Sequence, residues 1–146
     1  YTMRYSCEIQ INKPLDEVVR QFDSEENLFI WMEGHQRIEP ISGTKGEVGY
    51  KTKMIFLHKD KEMELVENIL ERDLPRIARF SYDSPMGYNE VAINISEINS
   101  NTTRYTSDNY FKLKAPMIWF GLLMKGMFKK QSMKYLTALK NLIESE

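Results

Sequence analysis

The apolar positions of this chain keep one period for a stretch and then change it. Over residues 3–11 they alternate. Met3, Tyr5, Cys7, Ile9 and Ile11 face one way and Arg4, Ser6, Glu8 and Gln10 the other, which predicts a half-buried strand. The period then lengthens. Asn12 and Pro14 open a short helix, with Asn12 as its cap, Asp16 and Glu17 at its positive end, and Leu15, Val18, Val19 and Phe22 as its buried stripe. Asp23-Ser24 interrupts it, and Ser24 caps a second short helix carrying Leu28, Phe29, Trp31 and Met32, which Gly34 ends.

Alternation then returns. Residues 38–41 form a short strand that Pro40 confines to an edge. Tyr50, Thr52, Met54 and Phe56 share one face of the next strand; Leu65, Glu67 and Ile69 share a face of its partner across the polar 58–61 turn. Beyond Leu74-Pro75, Ala78, Phe80 and Tyr82 line one side of a strand. Residues 84–87 turn, Val91, Ile93 and Ile95 alternate, residues 99–102 turn again, and Tyr105, Ser107, Asn109 and Phe111 share a face of the last strand.

Residues 116–144 read as one long helix. Met117, Gly121, Met124, Phe128, Ser132, Tyr135, Leu139 and Leu142 fall on one stripe, and Lys129, Lys130, Lys134, Thr137, Lys140 and Asn141 lie opposite. Its first half differs, because Trp119, Leu122 and Leu123 make 117–127 apolar almost all round. Such a segment needs cover on both sides or it touches something. The resulting order is strand, two short helices, about six antiparallel strands, long helix. It predicts an α+β fold in which a curved antiparallel sheet of six to seven strands wraps around the C-terminal helix. A ferredoxin-like arrangement is the weaker alternative, because it needs a helix between strands in the second half and none is readable within 43–114.

Composition narrows the classes. A chain of 146 residues is expected to be one domain spanning 1–146. Its net charge of −1 gives no global case for nucleic-acid binding. One cysteine excludes an internal disulfide framework and suits a reducing cytosol, so a cytoplasmic location is expected. No apolar run approaches the roughly 20 residues that span a bilayer. The opening residues do not read as a signal peptide, and a start at Tyr1 leaves room for preceding residues.

Several stretches, in this order, resemble the START-like superfamily of polyketide cyclases/dehydrases and lipid-transport proteins, also called SRPBCC, with its helix-grip fold. They are residues 9–18, a strand running into a proline-containing helix start; Trp31; the 46–50 turn; residues 67–71 followed by Leu74-Pro75; and residues 136–144. The resemblance covers nearly the whole chain and implies an apolar cavity between sheet and long helix. It speaks for fold more than for function, because the superfamily hosts ligand carriers, cyclases and protein-binding modules.

Alternation assigns that cavity Met54, Phe56, Phe80, Tyr82, Tyr105 and Phe111 from strands, Trp31 from the short helices, and Met124, Phe128 and Tyr135 from the long helix. Glu67, Ser107 and Asn109 are the polar positions expected among them. Methionine-rich walls adapt to varied apolar guests. Glu67 is the one candidate catalytic group, as a base or as an anchor for a guest's hydroxyl. His35 and His58 both sit beside turns without a second ligand at metal spacing, so neither a metal nor a cofactor is expected. Cys7 reads as a small buried hydrophobe. Arg72, Arg76 and Arg79, with Lys59 and Lys61, read as a solvated strand edge.

Trp119, Leu122, Leu123 and Met127 beside Lys125, Lys129 and Lys130 suit either a membrane interface or a homodimer contact, and Gly121 and Gly126 would let the segment bend as a lid. Three readings stand: a carrier or sensor of a small hydrophobic ligand (lipid, quinone, sterol or polyketide-like), a cyclase or dehydratase using Glu67, and a protein-binding module.

Overall fold

The computed structural model describes residues 2–24, 34–58, 60–114 and 121–145, and only the backbone of residues 58 and 121–124. Seven strands form one antiparallel sheet: β1 (Thr2–Ile11), β2 (His35–Ser42), β3 (Lys51–His58), β4 (Lys61–Asp73), β5 (Ile77–Ser84), β6 (Gly87–Asn99) and β7 (Thr102–Leu113). Two helices are described, α1 (Leu15–Phe22) and the long α2 (Gly121–Glu144). The sheet order is β1-β7-β6-β5-β4-β3-β2, so β2 to β7 form a meander and β1 closes onto β7. The expected second short helix and the first turns of the long one, residues 116–120, lie outside the described residues.

Each hairpin follows from its turn chemistry. Asp60 sits at φ 64 between β3 and β4, and Leu74-Pro75 is a cis bond between β4 and β5. Gly87 closes the 84–87 turn because a Cβ there would lie 2.2 Å from the Lys112 carbonyl oxygen. At the β2 edge, the strand is longer than residues 38–41, and it bulges around Pro40, which supplies no N–H to the ladder.

The helix α2 lies along β1, tied to it at four levels. Tyr5 Oη and Ser132 Oγ are 2.7 Å apart, and the Cys7 thiol points at the Lys129 carbonyl oxygen, 3.9 Å away. The Lys140 ammonium donates to the Gln10 carbonyl at 2.7 Å, and the Asn12 N–H donates to the Glu144 carboxylate at 2.8 Å. Partial burial pushes the Glu144 carboxyl up, but the Asn12 N–H and the Lys140 ammonium outweigh it and leave the group below its usual range. Asn12 is not the cap of α1: Pro14 holds that position, and no side-chain cap bond is present there. The 12–14 segment is held instead by α2 and by Thr103 Oγ1, which donates to the Lys13 carbonyl at 2.8 Å.

The solid core lies toward the C-terminal end of α2. Ile11, Val18, Ala78, Ile95, Leu139 and Ile143 are buried there in one cluster. The helix stripe is rotated from the sequence expectation: Leu136, Leu139 and Ile143 are buried, whereas Leu142 is only partly so. With β1 and α1 both against it, this part of the helix buries a wider arc than one heptad-like row. Cys7 is 2 % exposed, and burial raises its thiol pKa, against the pull of Lys129.

Candidate functional site

Between the concave face of the sheet and residues 128–136 of α2 the side chains meet only in part. They leave a cavity of about 960 Å³. Strand alternation builds its walls, since every second residue of β3 to β7 points inward. Thr52, Met54 and Phe56 come from β3, and Met63, Leu65, Glu67 and Ile69 from β4. Phe80 and Tyr82 from β5, Val91 and Ile93 from β6, and Tyr105, Ser107, Asn109 and Phe111 from β7 continue the lining. Phe128, Ser132 and Tyr135 cover it from α2.

Aromatic rings set the spacing between sheet and helix. Tyr5 stacks on Phe111 with centroids 5.9 Å apart, and Phe111 on Phe128 at 4.9 Å, a three-ring stack running from β1 through β7 to α2. Phe22 of α1 meets Tyr105 edge-on at 5.8 Å and closes the cavity floor on the core side. Buried His35 packs its ring edge-on against Phe56 at 5.2 Å, as part of the wall's backing.

Polar groups are few and local. The Tyr82 hydroxyl donates to Glu67 Oε2 at 2.7 Å, across the Glu67–Tyr82 register pair of β4 and β5. Burial, followed by the charge and hydrogen bond of Glu67, holds the Tyr82 phenol well above its ordinary pKa, and Tyr105 adds to the effect. Burial likewise raises Tyr105. The Tyr5 phenol is pushed up to about 12 by burial, against its hydrogen bond with Ser132. These phenols are therefore neutral at physiological pH and serve as donors. On β7 the Asn109 amide donates to Ser107 Oγ at 3.0 Å. Among the described residues no cluster of three His, Cys, Asp or Glu is arranged to hold a metal ion.

Of the residues predicted for the site, Met54, Phe56, Glu67, Phe80, Tyr82, Tyr105, Ser107, Asn109, Phe111, Phe128 and Tyr135 all line this cavity. Trp31 and the Met124 side chain lie outside the described residues, as do Trp119 and the side chains of Leu122 and Leu123.

No family model matches the chain, and no curated protein does. Solved structures do match. A conserved protein from Geobacillus kaustophilus superposes with TM-score 0.80 at 14% identity, over 98% of this chain and 96% of that one. The Zhui aromatase/cyclase from Streptomyces sp. R1128 gives 0.78 at 11% identity, over 99% and 94%. Norcoclaurine synthase from Thalictrum flavum, in complex with dopamine and hydroxybenzaldehyde, gives 0.75 at 15% identity, over 100% and 88%. The fold is the helix-grip fold that these structures share.

Within this helix-grip frame, sequence reasoning missed some lining residues. Thr52 and Leu65 share parity with Met54 and Glu67 on their own strands, and Tyr5, Val91 and Ile93 lie on apolar faces of β1 and β6 that alternation had marked but that were not carried to the cavity. Arg72 is different. By parity with Glu67 and Ile69 it should face outward, in the solvated edge expected of Arg72, Arg76 and Arg79. A β-bulge between Ile69 and Glu71 shifts the register and turns Arg72 to the cavity rim, where its guanidinium pairs with Asp23. Nor are β4 and β5 edge strands: they lie inside the sheet. Arg76 pairs with Asp73 at 2.7 Å and Arg79 with Glu71 at 3.5 Å on the outer side.

Proposed function

We propose that this chain binds a small hydrophobic ligand, of lipid, quinone, sterol or polyketide-like type, between sheet and helix, and acts as its carrier or sensor. The observation that supports the reading is the cavity itself. Its volume, about 960 Å³, lies at the upper end of the roughly 300–1,000 Å³ typical of small-molecule sites, with apolar walls and a few polar groups. An interior kept open in this way forgoes packing that a protein of this size could use for stability. Native mass spectrometry of the purified protein, before and after organic extraction, tests the reading. A guest that departs on extraction and rebinds from a panel of lipids, sterols, quinones and polyketides is the expected result; retention of no panel member overturns it.

A second reading rests on the Tyr82–Glu67 hydrogen bond, at 2.7 Å. In a cyclase or dehydratase, Glu67 would take a proton from carbon next to a carbonyl, with Tyr82 orienting it and Tyr105 or Asn109 donating to the carbonyl oxygen. Glu67→Gln should then lower turnover about 100-fold or more while leaving guest binding within a few-fold. Undiminished turnover in Glu67→Gln excludes Glu67 as the base.

A further inference from the structure

Polar groups on the cavity wall are not scattered. Four of them fall in one transverse row of the sheet, because register pairs Thr52 of β3 with Glu67 of β4, Glu67 with Tyr82 of β5, and Tyr82 with Asn89 of β6. All four line the cavity. The wall on either side of this belt is apolar. Toward the core, Ile69 pairs with Phe80 and Phe80 with Val91. Toward the opposite end, Met54 pairs with Leu65 and Phe56 with Met63. The flanking rows stand roughly 7 Å from the belt, the rise of two strand residues. Along its strands the wall therefore reads apolar, polar, apolar. Polar side chains elsewhere on it are engaged locally: Ser84 Oγ accepts from the Met86 N–H at 3.2 Å, and Asn109 donates to Ser107.

Donors and acceptors in the belt are unequal. The Tyr82 hydroxyl gives its one proton to Glu67. The Asn89 amide nitrogen donates to the backbone carbonyls of Tyr110, at 3.0 Å, and Glu90, at 3.3 Å. Acceptor sites are what these groups have left: the carboxylate of Glu67 has about four, and Asn89 keeps its side-chain carbonyl oxygen. We propose that the guest carries a hydrogen-bond donor in the middle of an otherwise apolar body: a hydroxyl on a secondary carbon, with an apolar arm on each side. The inference rests on the ligand-binding reading and names the class of guest. A guest with a terminal polar head reaches the belt only by leaving one flanking stretch of wall unfilled. A guest with no donor lays hydrocarbon over a carboxylate and an amide, which costs their hydration without return. A central hydroxyl satisfies the belt while both arms lie on apolar rows.

The test is displacement of an apolar fluorescent probe from the full chain by undecane, 1-undecanol, 6-undecanol and 6-undecanone, which share one carbon count and differ in the place and kind of polar group. 6-Undecanol should bind about tenfold tighter than 1-undecanol and than 6-undecanone, the worth of one hydrogen bond to a charged acceptor. Hydrophobicity alone would favour 1-undecanol over its branched isomer, so the order itself is diagnostic. The combined Glu67→Leu, Tyr82→Phe variant makes both partners of the belt's hydrogen bond apolar, a change that a fold tolerates better than the loss of one partner. It should abolish the preference and leave undecane binding within about threefold of the native chain. Equal or tighter binding of 1-undecanol or 6-undecanone by the native chain overturns the proposal, and so does a preference for 6-undecanol that the double variant retains. Undecane that displaces the probe without any preference among the alcohols removes the belt's role alone; failure of all four compounds to displace it removes the cavity reading as well.

Discussion

Tryptophan at both Val91 and Leu65 is expected to cut the affinity for an apolar fluorescent probe about 100-fold, close to 3 kcal/mol, while stability stays within about 1.5 kcal/mol of the native chain. Val91 faces the cavity from β6, between Phe80 and Asn109 in the register, and Leu65 faces it from β4, paired with Met54. Two indoles entering from different strands occupy volume that a guest would need. Adding bulk to a packed core normally costs stability through strain; adding it to open space does not. The pair of measurements separates these cases. A large stability loss with little change in probe affinity would mean that the space between sheet and helix is closed in solution and that the probe binds elsewhere.

The second large effect lies at the other end of the helix. Leu139→Ala should destabilise the chain by about 3 kcal/mol, within the 2–5 kcal/mol seen for fully buried leucines. Leu139 is 0% exposed, in the cluster with Val18, Ile11 and Ile143. That cluster joins α2 to β1 and α1, so removing the side chain from it leaves a void. Denaturant unfolding, read by circular dichroism, gives the value. A loss below about 1 kcal/mol would show that this end of α2 is not the anchor. Met127→Ala, on the same helix but exposed, is the control and should change stability by less than about 0.5 kcal/mol.

The two substitutions probe a division of labour along one helix. Near Leu139 and Ile143 the chain is packed for stability. Near Phe128 and Ser132 it is held off the sheet by stacked rings, with the Tyr5–Ser132 hydrogen bond as a tie. A gap persists between sheet and helix because Phe111 and Phe128 meet face to face and prop the helix, while deeper in the sheet Tyr82 of β5 donates to Glu67 of the neighbouring β4.

Much of this was legible from local pattern. A period of two fixes which residues of β3 to β7 share a face, and one buried face suffices to place Met54, Phe80, Tyr105 and Phe111 together. Glu67 and Asn109 followed by parity alone. The order of elements and the turn residues, with no helix to interrupt 43–114, were enough to predict the meander and its terminal helix.

What the residues' own periods could not carry was decided by pairing between segments distant in sequence. Arg72 turns inward because a bulge against β5 adds one residue to one strand, and a shift of one reverses every side chain after it. The α2 stripe rotates toward Leu136 and Ile143 because two elements, β1 and α1, press on it from different sides. Asn12 has no capping role because the helix starts later, with Pro14 at the cap position, and its N–H is held instead by Glu144, 132 positions away. The volume of the cavity also belongs to this class. Alternation says which side chains face inward, but how far the opposing layer stands from them depends on ring stacks and anchors that form only once the helix has closed over the sheet.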